Sequence, residues 1–363
     1  MNKQEETYFA ALSKDRSEIA DVLERRAVRG YKDSVVEKYS DQAHFIYELL
    51  QNADDACATR ARFILEENRL IFAHNGSRHF SVSNPANEDV DSENKTLGDI
   101  NAITSIANSN KTGASIGKFG VGFKAVFQYT QTPHIYDPNF KFKIERFIVP
   151  IMLTDDFPGR RSDETLFVFP FDHQERDADE AYSDISDKLR NLSFPLFLTS
   201  LKDIEFEFSN VLGLYGKNIK ETIKLDGTIA EHLILTQNAG DDLYDEDLWL
   251  FSRLDECERR YSVGFFMDKE GHLRPVNEPA FCFFPTKEVT NLNFILHAPF
   301  LLTDSREGIR AGVAHNDKMI KRLAELAADS MEYLRDIGMK SSNRLIDDNI
   351  VEIIPVDEDD FSD

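Results

Sequence analysis

The segment Glu48-Leu49-Leu50-Gln51-Asn52-Ala53-Asp54-Asp55-Ala56 sets an acid, an amide and a second acid along one side of a helix. At about 100° per residue, Glu48, Asn52 and Asp55 project together, with Phe45, Leu49, Ala53 and Ala56 on the adjoining apolar arc. Polar groups in register beside a buried face are costly without partners. The partners that suit this set are a divalent cation, a water and a polar ligand. A carboxylate at a helix edge can polarise water. A neutral amide oxygen one turn on suits magnesium, which takes oxygen ligands and keeps several waters. A capped, solvated helix face carries the same residue types, so the reading depends on what accompanies the segment.

Two further segments accompany it. Arg69-Leu70-Ile71-Phe72-Ala73-His74-Asn75-Gly76 reads as an apolar strand running into an Asn-Gly turn. Gly113-Ala114-Ser115-Ile116-Gly117-Lys118-Phe119-Gly120-Val121-Gly122-Phe123-Lys124 reads as a glycine-rich loop that opens an amphipathic helix through Val126 and Phe127. Glycines let the backbone come close to a ligand, and a helix N-terminus directly after them offers N–H groups to phosphate oxygens. The loop is not a P-loop, because three residues separate Gly113 from Gly117 and Phe119 follows Lys118. Nor is it a dinucleotide fingerprint, because a polar segment precedes it where a strand is required.

In order and content these motifs resemble the Bergerat-fold ATPases of the GHKL superfamily, which spans gyrase, heat-shock chaperones, histidine kinases and mismatch-repair proteins. The pattern is most similar to sacsin-type and chaperone-type N-terminal ATPase domains, and the likeness covers roughly residues 41–171. The resemblance implies an α+β chain: a two-layer α/β sandwich (the Bergerat ATP-binding fold), followed by a smaller βαβ transducer-like domain. It implies ATP and Mg2+ as cofactors, Glu48 as the residue that polarises the attacking water, and Asn52 as the magnesium ligand. Nucleotide binding is expected from Asn52, Asp55, His74, Asn75, Gly76, Lys111, Gly117, Lys118, Phe119, Gly120, Val121, Gly122, Phe123 and Thr165. Among these, Lys111 resembles a lid lysine and Thr165 the threonine that assists adenine recognition. Ser305-Arg306-Glu307 is similar to the transducer segment that carries an arginine to the γ-phosphate, which makes Arg306 a second catalytic candidate.

One position departs from the chaperone and gyrase pattern. Where those members carry Asp in their Asp-x-Gly motif, this chain has His74 before Asn75-Gly76, as sacsin-type members do. A neutral histidine can accept a hydrogen bond through one ring nitrogen, so adenine selectivity rests on a different group.

The expected elements arrange these residues in two domains and a tail. Residues 1–175 form the ATP-binding domain, with a helical arm over about 5–32, a hairpin at 62–72, a polar lid over about 77–116 and strands at 141–151 and 166–171. The acidic stretch 173–180 marks the boundary. Residues 176–340 carry alternating strands and a terminal helix, and 341–363 form an acidic tail.

At 363 residues the chain is long enough for two cores. A net charge of −23 argues against direct nucleic-acid binding, because phosphate neutralisation needs clustered basic residues. Arg25, Arg26 and Arg29 form a local basic patch or pair with Glu24 and Asp33. Cys57, Cys257 and Cys282 make no metal-spaced pair and read as reduced thiols of a cytoplasmic protein. No apolar run reaches the length of a membrane span, and the N-terminus has no signal-peptide core. The expectation is magnesium-dependent ATP binding and slow hydrolysis, driving lid closure and homodimerisation. Such a chain suits the front module of a larger chaperone-like, bacterial defence or DNA-processing machine, with a protein client or effector not identified by the sequence. The alternative is a nucleotide-binding interaction module that does not hydrolyse.

Overall fold

Asn2 starts the first helix. Its side chain accepts from the backbone N–H groups of Gln4 and Glu5, and the Glu5 carboxylate accepts in return from the Asn2 N–H. This reciprocal cap satisfies donors that a helix start leaves open, and α1 runs Lys3–Leu23. The computed structural model describes residues 1–25, 45–105, 122–192, 195–239, 242–303, 308–341, 345–346 and 350–354. Of the predicted site, Lys111, Gly117, Lys118, Phe119, Gly120, Val121 and Arg306 lie outside the described residues, as do Arg26, Arg29 and the end of the acidic tail.

The chain divides into two compact units, Met1–Leu192 with Thr199–Leu214, and Ser193–Leu198 with Tyr215–Asp363. In the first unit α2 (Phe45–Asp55) leads to the hairpin β1 (Arg60–Glu66) and β2 (Arg69–His74). A 3-10 turn at Pro85–Asn87 and the short helices α3 (Glu88–Glu93) and α4 (Asp99–Ile103) follow. Then come a 3-10 helix at Gly122–Gln128, β3 (His134–Tyr136), β4 (Lys141–Glu145), β5 (Val149–Met152) and β6 (Thr165–Pro170). Helix α5 (Ala178–Arg190), β7 (Asp203–Phe208) and the start of β8 (Val211–Leu225) complete it. The second unit holds the rest of β8, then β9 (Thr228–Ala239), β10 (Asp242–Leu254) and β11 (Arg260–Met267). It continues with β12 (Pro279–Cys282), β13 (Phe284–Val289), β14 (Ile295–His297), α6 (Ala314–Ser341) and α7 (Ile350–Ile353).

The strands form one 14-stranded mixed sheet in the order β13-β12-β14-β11-β10-β9-β8-β7-β1-β2-β6-β3-β4-β5. This overturns the predicted two-layer α/β sandwich with a smaller βαβ domain. A βαβ unit needs parallel neighbours joined through a helix. In the second unit β9, β10 and β11 pair antiparallel, and the parallel pair β12/β14 is bridged in sequence by β13. The strand that extends the sheet, β8, fully buries one of its 15 residues, Tyr215. It therefore lacks the period-2 apolar signal by which a half-buried strand is recognised. The long helix α6 instead packs Met319, Leu323, Leu326 and Leu334 into a core with Trp249, Phe251 and Phe265.

Local rules account for the first unit. Helix α2 ends where Cys57 takes φ 60°, and the Cys57 and Ala58 N–H groups donate to the carbonyls of Asp54 and Ala53 at 2.8 and 2.9 Å. This is the left-handed termination that glycine usually supplies. The expected single strand at 141–151 is two, because Arg146 and Phe147 take positive φ and turn the chain between β4 and β5. The expected amphipathic helix after the glycine loop is a 3-10 helix whose residues 123–127 are all buried. In the 77–105 segment, buried Arg16 of α1 pairs with Glu88 at 2.5 Å, and Glu88 also accepts from Asn101 at 2.8 Å.

No helix among the described residues is long and apolar enough to cross a membrane. Close packing has one sharp requirement at β7/β8: a Cβ on Gly213 would stand 1.8 Å from Cζ of Phe206, itself 2% exposed. Gly213→Ala is expected to destabilise the protein by about 2–3 kcal/mol through overpacking. Thermal melting checks this; an unchanged melting temperature would show that the ring moves aside freely.

Candidate functional site

Strand alternation builds the site. In the β2/β6 register Leu70 faces Phe169, Phe72 faces Phe167 and His74 faces Thr165, so all six side chains share one face of the sheet. The opposite face carries Ile71, Ala73, Leu166 and Val168, which cluster with Tyr136. On the first face an open pocket has apolar walls from Leu49, Ala56, Phe72, Phe80, Phe123 and Phe167. Its polar lining comes from Asn52, His74, Thr165, His79 and the Arg78–Asp99 ion pair, 3.2 Å apart. An apolar cavity with a few convergent polar groups is the usual form of a small-molecule site.

The pocket gathers four predicted residues, Asn52, His74, Phe123 and Thr165, from four separate elements. Asn52 is half-buried, and its side-chain amide makes no hydrogen bond among the described residues. Glu48, one turn earlier, is buried at 7% exposure. Glu48, Asp55, Asn75 and Gly76 stand beside the pocket without lining it, and Gly122 opens the 3-10 helix immediately before Phe123. Asp55 is at the surface; desolvation, then repulsion from Asp54, pushes its carboxyl up to about 6 against the attraction of Arg78.

The Asn75 side chain serves the fold. Its Oδ1 accepts from the N–H groups of Thr59 and Arg60, both at 2.9 Å, and its Nδ2 donates to Thr59 Oγ1 at 2.9 Å. Gly76 is held by close approach: a Cβ there would lie 2.8 Å from Ala56 Cβ and O and 2.9 Å from His74 Nδ1. The Gly76 N–H donates to His74 Nδ1 at 3.1 Å. Burial, with His79 as the second cause, brings the His74 ring down to about 4, so it is neutral near pH 7. A neutral ring whose Nδ1 accepts carries its proton on Nε2. His74 therefore presents a donor to the pocket, where the sequence reading anticipated an acceptor.

Sequence reasoning missed Asp137. This aspartate is fully buried one residue past β3, where Thr165 Oγ1 donates to its Oδ2 at 2.6 Å and His79 Nδ1 lies 3.3 Å away. In sequence, Tyr136-Asp137-Pro138 reads only as a turn after a strand, so no local signal marks it. Arg78, His79, Phe80 and Asp99 also went unmarked, because they fall in the polar stretch read as a lid.

Residues 29–144 match the Sacsin domain family. "Protein NO VEIN" of Arabidopsis thaliana is 26% identical over 342 residues, covering 81% of this chain and 11% of that protein. "Sacsin" of Homo sapiens is 33% identical over 120 residues, covering 30% of this chain and 2% of that protein. The chain thus spans a small fraction of either relative's length, and it is sacsin-like across the matched stretch. That stretch holds every site candidate from Glu48 to Phe123, while Thr165 and Arg306 fall beyond it.

The His74 environment sets a pH dependence. The unfolded ring takes a proton near 6.5 and the folded ring only near 4. Between those values the unfolded state binds more protons, so stability falls as pH drops through that window and is fully present above it. His74→Asn, which keeps an acceptor for the Gly76 N–H, is expected to remove about 2–3 kcal/mol of the stability loss between pH 7 and 4.5. Chemical denaturation at both pH values checks it; equal losses in parent and variant would contradict a buried neutral ring.

Proposed function

We propose that this chain binds ATP with magnesium and hydrolyses it slowly, as a switch module within a sacsin-like protein. The observation that carries the reading is the convergence of Asn52, His74, Phe123 and Thr165 on one aromatic-walled pocket. The apolar, largely aromatic walls suit a planar ring. The motifs stand in the order used by GHKL ATPases.

Asn52 fits a magnesium site, because its amide is neutral and makes no hydrogen bond within the described residues. Magnesium when bound neutralises phosphate oxygens and needs few protein ligands beyond them. In this reading Glu48, one helical turn from Asn52, is the carboxylate that orients and polarises a water. The apolar walls exclude bulk water around the ring. Thr165 and His74 supply the polar contacts to its edge. Dimerisation, a protein client and coupling through Arg306 belong to the same proposal.

Titration calorimetry with ATP, ADP and GTP, with and without magnesium, tests binding directly. Glu48→Ala is expected to retain ATP affinity and lose on the order of 10²-fold or more in hydrolysis. Asn52→Ala is expected to weaken the magnesium-dependent part of binding. A Glu48→Ala chain that hydrolyses at the parent rate would remove Glu48 from the mechanism. ATP affinity without turnover in the parent would make the chain a binding module.

A further inference from the structure

Two polar groups of the pocket have their hydrogen-bonding sense set from behind. Thr165 Oγ1 donates its proton to Asp137 Oδ2 at 2.6 Å, with Thr165 and Asp137 1% and 0% exposed. A hydroxyl has one proton and two lone pairs. With the proton committed to Asp137, Thr165 meets any ligand as an acceptor. Asp137 is itself held in orientation, because its Oδ1 accepts from the Asn139 N–H at 2.9 Å. His74, directly across the strand pair from Thr165, is a donor through Nε2, since Nδ1 accepts from Gly76. An acceptor and a donor therefore stand side by side on one face.

We propose that Asp137 is the positioning residue that sets the specificity of this pocket: by holding the Thr165 proton, it makes Thr165 an obligatory acceptor beside the His74 donor. The pair matches a ring edge with an exocyclic amino donor next to a ring-nitrogen acceptor, which is what adenine presents. The inference rests on the nucleotide-binding reading and adds to it the residue that enforces the amino group. The same ring without that group leaves Thr165 unpaired against a dry wall, which costs affinity.

Asp137→Asn gives a specific reversal. The amide oxygen is needed by the Asn139 N–H, so the NH2 group takes the place that faces Thr165. The threonine then accepts from residue 137, and its own proton turns to the pocket. A donor there opposes the ligand's amino group.

The test measures magnesium-dependent binding of ATP and of purine riboside triphosphate, the same compound lacking the amino group. The unsubstituted protein is expected to prefer ATP by about tenfold or more, the effect of one good hydrogen bond. Asp137→Asn, with folding checked by circular dichroism, should abolish that preference while affinity for purine riboside triphosphate stays within about threefold. Thr165→Val should also abolish it, and Thr165→Ser, which keeps the hydroxyl, should retain it. Equal affinity of the unsubstituted protein for the two compounds overturns the proposal with no variant needed. A preference that survives in folded Asp137→Asn overturns the role of Asp137 and leaves ATP binding standing. Absence of ATP binding by the unsubstituted protein overturns the nucleotide reading and this inference together.

Discussion

Three backbone N–H groups, of Thr199, Ser200 and Leu201, converge on the Asp54 carboxylate at 2.9, 2.6 and 2.8 Å. A carboxylate in the last turn of a helix faces the negative end of the helix dipole and is disfavoured there. Three charge-assisted bonds offset that cost. Their consequence is geometric: the end of α2 is tied to the segment that enters β7. The Lys202 and Asp203 N–H groups then donate to the Thr59 carbonyl, and β7 runs parallel to β1 from Asp203 beside Arg60 to Phe208 beside Leu65. With α2 anchored to β7 and β7 paired to β1, the placement of Asn52 relative to β2 and β6 is settled. The pocket depends on that chain of constraints.

A second set of contacts holds the opposite wall. Lys124 is 1% exposed; its ammonium donates to the Phe147 carbonyl at 2.8 Å and lies 4.5 Å over the Phe147 ring and 5.4 Å over Phe127. A buried ammonium is tolerated when a carbonyl and aromatic faces replace its water. The neighbouring Arg146 points the other way, to Asp21 of α1 and to Glu24, which caps that helix, at 2.6 and 2.8 Å. The positive-φ turn at Arg146 and Phe147 thus sends one cation partner toward α1 and the other toward the 3-10 helix. Phe123, at the start of that helix, becomes a fixed pocket wall. Exposed pairs such as those of Arg146 contribute little individually; the buried lysine is the stronger constraint.

Much of the local structure in both units was legible in the sequence. The hairpin of β1 and β2, the polar edge of α2, the strand at β6 and the long helix α6 all follow from apolar periodicity read over a few residues. Thr165 and His74 were picked out as site residues by resemblance, and the register places them opposite each other. What escaped has physical reasons. The short β3 and the wet β8 carry too little apolar alternation to register as strands, and β8 is what turns an expected sandwich into a sheet of 14 strands. Asn75 looked like part of a ligand motif, yet its amide closes the turn before β1, a use invisible without Thr59 beside it.

The sequence by itself determined the local elements and the chemistry available to them: an acid and an amide one turn apart, a histidine ahead of an Asn-Gly turn, a glycine-rich loop. These depend on neighbours within a few residues, whose preferences act wherever the segment folds. Only the tertiary structure decided the sheet order, because pairing β1 with β7 joins segments far apart in the chain. It also decided the sense of each hydrogen bond in the pocket. Whether His74 donates depends on the Gly76 N–H, and whether Thr165 accepts depends on a buried Asp137 just past another strand. A side chain's type lists what it is able to do; the neighbours that folding brings leave it one of those choices.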